Sequence, residues 1–420
     1  MEHPLRLDKA ATALATGVLC WSSYAIHSGG GAEGTHQVEH QLLEALGELS
    51  GILFFLMGAM TIVELVDAFE GFSPITSRVT MTNRRGLMWS VSLLTFFLSA
   101  VLDNLTTTLV IISLLKKLVA DPQDRLKLAG LVVLAANAGG AWTVIGDVTT
   151  TLLWIKQRID PVDVMFELFI PSLVCMVVPL LVLTPWTKGH VRRPKEAVDG
   201  GSPHAPGSIP RSRQTIILVM GLAGLIAVPI FKSVTHLPPF MGMMLSLSVI
   251  WLGAELLNHS LPPEVRSSTQ VVSVLQQIDL ASVLFFLGVL LAVSALAATG
   301  TLKAAAVWLD ENVGNMYLVA MFIGLLSSIV DNVPLVAAGI EMYDFPVNHP
   351  FWLNLAYCAG TGGSCLIIGS AAGVAAMALE RSHFFWYVRN ISFLALLGYL
   401  AGFAVYYAQQ MFFGTTGSTL

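Results

Sequence analysis

Residues 280–298, LASVLFFLGVLLAVSALAA, form an apolar run broken only by two serines and containing no ionisable side chain. About 20 residues cross a hydrocarbon core roughly 30 Å thick, and a segment in lipid must satisfy its own backbone hydrogen bonds, which a helix does. Comparable runs or run cores lie at 10–26, 52–63, 164–186, 215–231, 240–257 and 391–407. The composition agrees: 55% of the 420 residues are apolar and 12% charged, about half the charged share of a soluble domain. A soluble enzyme or nucleic-acid binder is excluded, and the expected class is an all-α polytopic membrane protein. Asp8 precedes the first apolar run and no A-x-A site ends it, so a retained first helix is expected rather than a signal peptide. Cys20, Cys175, Cys358 and Cys365 lack metal-type spacing and read as small core residues.

Lys and Arg mark the cytoplasmic ends of spans. With the N-terminus inside, residues 28–48 carry four Glu and no Lys or Arg and form an outer loop, and Arg78, Arg84 and Arg85 return inside. Lys116, Lys117, Arg125 and Lys127 also read as inside, although two apolar segments flanking Asp103 lie between these clusters. As helices those segments, 86–102 and 105–115, measure about 25 and 16 Å, so the second cannot cross alone. The economical solution is a re-entrant hairpin over 86–118 that turns at Asp103-Asn104, where broken backbone is tolerated only inside protein or beside a wet cavity. Two tilted spans with Asp103 in an outer loop are the alternative. This threading puts all but four of the 22 Lys and Arg inside, the exceptions being Lys156, Arg158, Lys232 and Lys303; the C-terminus falls outside.

The chain also echoes itself. LFFLMGA (53–59) is answered by LFFLGVL (284–290), LDNLTTTLV (102–110) by VDNVPLVAA (330–338), and AGGAWTVIGD (138–147) by TGGSCLIIGS (361–370). The predicted organisation is a first repeat over 1–187 with hairpin 86–118 and broken helix 128–155. A Gly/Pro/Ser-rich cytoplasmic linker follows over 188–213, then a second repeat over 214–420 with hairpin 314–342 and broken helix 351–380. In the threading the two hairpins open to opposite sides, so the repeats are inverted, with about 9–11 spans plus the two hairpins. Inverted repeats with broken helices mark secondary transporters.

Asp103, Asp147 and Asp331 lie deep by this threading, with Asn104, Asn137, Asn332, Thr106, Thr143, Thr149, Thr150, Ser327, Ser328, Ser364 and Ser370 close in sequence. Carboxylate, amide and hydroxyl oxygens suit a hard cation, and no Cys or His falls among them to suggest a transition metal. Removal from water also favours the protonated acid, so one ligand set occupied by a cation or by protons in turn gives antiport. Asp147 aligns with Ser370, breaks the symmetry, and is the first candidate for proton competition; it also fits as the cap of a resumed half-helix. Asp103 and Asp331 fit equally as hydrogen-bonded turn residues.

At these motifs, DNLTTT, NAGGAWTVIGDVTTT, VDNVPL and GTGGSCLIIGSAAG, the sequence resembles the NhaD-type sodium/proton antiporters of the ion transporter superfamily. The resemblance covers nearly the whole chain after about residue 45. It implies exchange of Na⁺ or Li⁺ for H⁺ in a bacterial inner membrane and a homodimer whose hairpin-bearing domain moves against a scaffold. It also implies functional roles for Asp103, Asn104, Asn137, Asp147, Thr149, Thr150, Ser327, Asp331, Asn332 and Ser364. Thr143 and Ser370 join the candidate ion site from their positions. No cofactor and no nucleic-acid partner is expected beyond the bilayer and the transported ions. A rival within the superfamily is an anion or dicarboxylate symporter; an intramembrane aspartyl protease is disfavoured because its Tyr-Asp and Gly-x-Gly-Asp signatures are absent. His36 and His40 beside Glu33 and Glu39 read as solvated, and the aromatic pairs at 386–387 and 406–407 as interfacial anchors.

Overall fold

The computed structural model describes residues 9–27, 32–79, 81–192, 209–259 and 261–413. Residues 193–208 of the expected linker lie outside the described residues. Regular structure among the described residues is helical, apart from one isolated antiparallel bridge between Asn83 and His190. Among the described residues, seven helices are long and apolar enough to cross a membrane. In chain order the principal helices are α1 (Lys9–His27), α2 (Ala32–Ala68), α3 (Arg84–Leu102), α4 (Asn104–Leu118), α5 (Pro122–Gly140), α6 (Val148–Ile155), α7 (Pro161–Leu183) and α8 (Arg211–Thr235). They continue as α9 (Pro239–Asn258), α10 (Leu280–Ala298), α11 (Thr301–Val313), α12 (Met316–Leu326), α13 (Asn332–Met342), α14 (Pro350–Gly362), α15 (Ala371–Glu380) and α16 (Phe393–Phe413).

Every apolar run read from the sequence is a helix, and both predicted breaks are present. The starts follow capping chemistry: Asn83, Asp103, Asp121, Asp147, Asp279, Asn315, His349 and Ser370 each accept a backbone N–H of the helix that follows. Two local expectations fail. Residues 28–48 are not a loop throughout, since α2 runs unbroken from Ala32 as a 37-residue helix; Val38, Leu42 and Ala45, spaced four and three apart, give its early turns an apolar stripe that packs with Trp21 and Ala295. The segment after α10 is also helical: α11 lies between Gly300 and Gly314, both left-handed, and exposes Val307 and Trp308. At 13 residues it is too short to register as a span.

The described chain falls into two compact units that cut across the sequence halves. The first comprises residues up to 69, 216–314 and 337–344; it contains α1, α2, α9, α10, α11 and most of α8. Within it α1 packs on α10, where a methyl on Gly17 would fall 2.7 Å from the Gly288 carbonyl oxygen, and Trp21 Nε1 donates to the Leu291 carbonyl at 3.0 Å. The second comprises 70–215, 315–336 and 345 onward. It holds the pair α3–α4, α12 with α13 as far as Val336, both broken helices, α7 and α16.

Candidate functional site

The first helix pair turns at Asp103, whose φ of 82° and ψ of 160° lie in a region that L residues rarely occupy. Its carboxylate secures the turn, accepting from Thr106 N and Thr106 Oγ1, both at 2.9 Å. In the second pair α12 ends at Leu326, residues 327–331 turn, and Asp331 Oδ1 accepts from Val333 N at 3.2 Å. Both Asp residues therefore hold their turns.

Each pair is locked to its broken helix by the same contacts. A methyl on Gly139 would collide with the Phe96 carbonyl, and one on the aligned Gly362 with the Gly324 carbonyl. Gly146 backs onto the Ser99 carbonyl and Gly369 onto that of Ser327. Ser99 Oγ donates to the Ala136 carbonyl at 2.6 Å, as Ser327 Oγ does to Ala359 at 3.1 Å. In both copies the helix unwinds after paired glycines and resumes at a capped residue: Asp147 for α6, Ser370 for α15. Thr143 Oγ1 adds a 2.6 Å bond to the Ala100 carbonyl.

The two broken helices run antiparallel. Arg125, in the first turn of α5, donates from Nε to Glu380 Oε2 at the last residue of α15, at 2.7 Å. At the opposite end Arg158, just beyond α6, lies over Trp352 of α14, and Asn348 bonds Asp160. This crossing brings the breaks together.

Where they meet, Asn104 Nδ2 donates to Asn137 Oδ1 at 3.0 Å and to Asp147 Oδ2 at 2.7 Å. Asn137 Nδ2 in turn donates to Ser364 Oγ at 2.8 Å and Ser370 Oγ at 2.9 Å. Asp147 Oδ1 accepts from Thr149 N and Thr149 Oγ1, each at 2.8 Å, while Thr150 Oγ1 bonds the Asp147 carbonyl at 2.9 Å. Asp147 is 1% exposed. Asn104, Asn137, Asp147, Thr149, Thr150, Ser364 and Ser370 thus form one buried network. Asn332 is buried at the second turn. Asp103 and Asp331 lie within electrostatic range of Asp147, yet no three His, Cys, Asp or Glu among the described residues gather as a metal site. The acids surround a mixed oxygen set centred on one carboxylate.

Two contributors escape the sequence reading. Ser99 is the counterpart of Ser327, and extending the repeat alignment four residues upstream of Asp103 finds it. Tyr387 is the second; with Tyr406 it corrects the expectation of interfacial anchors. Both are fully buried, Tyr387 donating to the Ser364 carbonyl and Tyr406 to that of Pro350, each at 2.8 Å.

Comparison with known proteins agrees with this architecture. The family model described as citrate transporter, CitMHS, matches residues 1–344. The chain is 46% identical to Sodium/proton antiporter 1 of Arabidopsis thaliana, over 97% of this chain and 69% of that protein. It is 29% identical to the Na(+)/H(+) antiporter NhaD of Vibrio cholerae, over 97% and 88% respectively. In structure it resembles the Alcanivorax borkumensis YdaH transporter with a TM-score of 0.59 at 11% identity, covering 97% of this chain and 99% of that one. These relatives are named as antiporters and transporters, not enzymes. A helical bundle with two interrupted helices crossing at a buried carboxylate, in a chain with these relatives, is a secondary transporter, and it belongs to the NhaD-type sodium/proton antiporters within the citrate transporter family.

Proposed function

We propose that this transporter exchanges Na⁺ or Li⁺ for H⁺ by alternating access across a bacterial inner membrane. The observation that carries the reading is the Asp147 carboxylate, buried among amide and hydroxyl oxygens with no Lys, Arg or His in its bonded network. An ionised carboxylate away from water is costly unless neutralised. A hard cation coordinated by these oxygens neutralises it, and so does a proton. The two compete for one charge, which is the chemical basis of exchange. The names of the Arabidopsis and Vibrio relatives favour the same ions.

The antiparallel broken helices and their matched glycine contacts support inverted repeats. At 11 residues each, α12 and α13 span about 16 Å, too short to cross and suited to a re-entrant hairpin. The whole candidate ion site, Asp103, Asn104, Asn137, Thr143, Asp147, Thr149, Thr150, Ser327, Asp331, Asn332, Ser364 and Ser370, belongs to the second compact unit. That supports an elevator-like cycle in which this unit carries the ion and the first serves as scaffold, in a homodimer with a cytoplasmic N-terminus and a periplasmic C-terminus.

In everted vesicles, Na⁺ or Li⁺ should dissipate an imposed pH gradient, and Asp147→Asn and Asp331→Asn should each abolish the response. Undiminished exchange in both variants overturns the proposal. A second reading, anion symport, is favoured by the description of the matching family, although a site built around a carboxylate opposes anions. Accumulation of labelled citrate without Na⁺-dependent proton movement would establish it instead.

A further inference from the structure

Away from the ion site, the second unit contains a cavity of about 260 Å³ where the start of α3, the first turns of α5, the end of α7 and the residues before α16 meet. Its floor is carbon, supplied by Met88, Leu131, Leu183 and Ile391. Arg84 and Lys127 stand on its wall with one acid, Asp124. Asp124 is already engaged by Arg84 Nη2. Arg84 Nε is buried with no acceptor, and Lys127 is exposed with no ion-pair partner among the described residues. Trp186, 83% exposed, also lines the cavity. In the charge-based threading this end of the helices faces the cytoplasm.

We infer that this cavity binds an anionic phospholipid. A buried donor without an acceptor and an unpaired ammonium are unmet demands for a phosphate oxygen. Basic pockets at the cytoplasmic ends of spans suit anionic headgroups, and exposed Trp suits the interface. The carbon floor selects the source: a free phosphate gains nothing from it, whereas an acyl chain does. The charge selects the headgroup, because the Arg84–Asp124 pair cancels and leaves the net positive charge of Lys127, which attracts an anionic headgroup and opposes the ammonium of a zwitterionic lipid.

The test uses the full chain purified in neutral detergent and offered phosphatidylglycerol, phosphatidylcholine or glycerol 3-phosphate. Native mass spectrometry should show preferential retention of phosphatidylglycerol, which should also raise the melting temperature; glycerol 3-phosphate should do neither. Lys127→Glu, which changes an exposed side chain, should weaken retention by about fivefold or more. Brominated phosphatidylglycerol should quench fluorescence in the wild type more than in Trp186→Phe. Equal retention of the two lipids, equal stabilisation by glycerol 3-phosphate, an unaffected Lys127→Glu, or quenching independent of Trp186 would each overturn the inference.

Discussion

Asp147 does two jobs with one carboxylate: Oδ1 caps α6 through Thr149, and Oδ2 receives the Asn104 amide. Asn at this position keeps the cap but turns an N–H toward the Asn104 N–H, and such an unsatisfied buried donor costs about 1–3 kcal/mol. Asp147→Asn should therefore lower the melting temperature as well as stop exchange. Combining it with Asn104→Asp restores a donor facing an acceptor at position 147 but sets an acceptor against Asn137 Oδ1, so the pair should recover only part of the lost stability in a thermal shift measurement. Asp103 illustrates the opposite balance. Its backbone conformation costs about 1–3 kcal/mol, which Gly would relieve while deleting both bonds to Thr106. Asp103→Gly should stay folded with a melting temperature near wild type. The placement of Asp103, Asp147 and Asp331 at breaks between helices was legible because a carboxylate in an apolar run demands an explanation. Their division of labour was not, since sequence spacing does not say which acid receives the Asn104 amide.

Among the helices, the paired glycines are places where backbone meets backbone. Gly139→Ala and Gly362→Ala should each abolish the yield of folded protein, because the atoms in the way are carbonyls and cannot swing aside. Gly47→Ala in α2, where nothing lies within 4 Å, should be neutral or stabilising by about 0.5–1 kcal/mol. The Arg125–Glu380 pair joins the first turn of one broken helix to the last residue of the other, with Glu380 only 1% exposed. Removing one partner of such a pair costs about 3–5 kcal/mol, so Arg125→Met should destabilise sharply and Arg125→Met with Glu380→Met much less; chemical denaturation of the three proteins decides this. The breaks themselves were readable from Gly-Gly and Asp-Asn within apolar runs. The α11 helix and the start of α2 were not: α11 is too short to register as a span, and the Val38, Leu42 and Ala45 stripe of α2 lies among Glu and His residues that read as a charged loop. Tyr387 and Tyr406 misled for a related reason: an aromatic near the end of an apolar run looks the same whether it meets headgroups or a buried carbonyl.

For the whole molecule, the sequence halves and the compact units divide the chain differently. Duplication was visible as repeated motifs, whereas the units depend on long-range packing that no motif reports. The inverted arrangement has a direct check: a single cysteine replacing Lys117, after the first helix pair, should react with a membrane-impermeant thiol reagent from the cytoplasmic side, and one replacing the exposed Val347, after the second pair, from the other. Same-sided labelling would mean that the halves share one orientation. Duplication also left an imbalance, for the residue aligned with Asn137 is Gly360, so one amide reaches across to the serines of the other half and nothing reaches back. A perfectly mirrored protein would offer twin berths, one per repeat. In the proposed cycle this network furnishes a single berth, so a traveller arriving from either face of the membrane would use the same seat, and departures in one direction would wait for arrivals in the other.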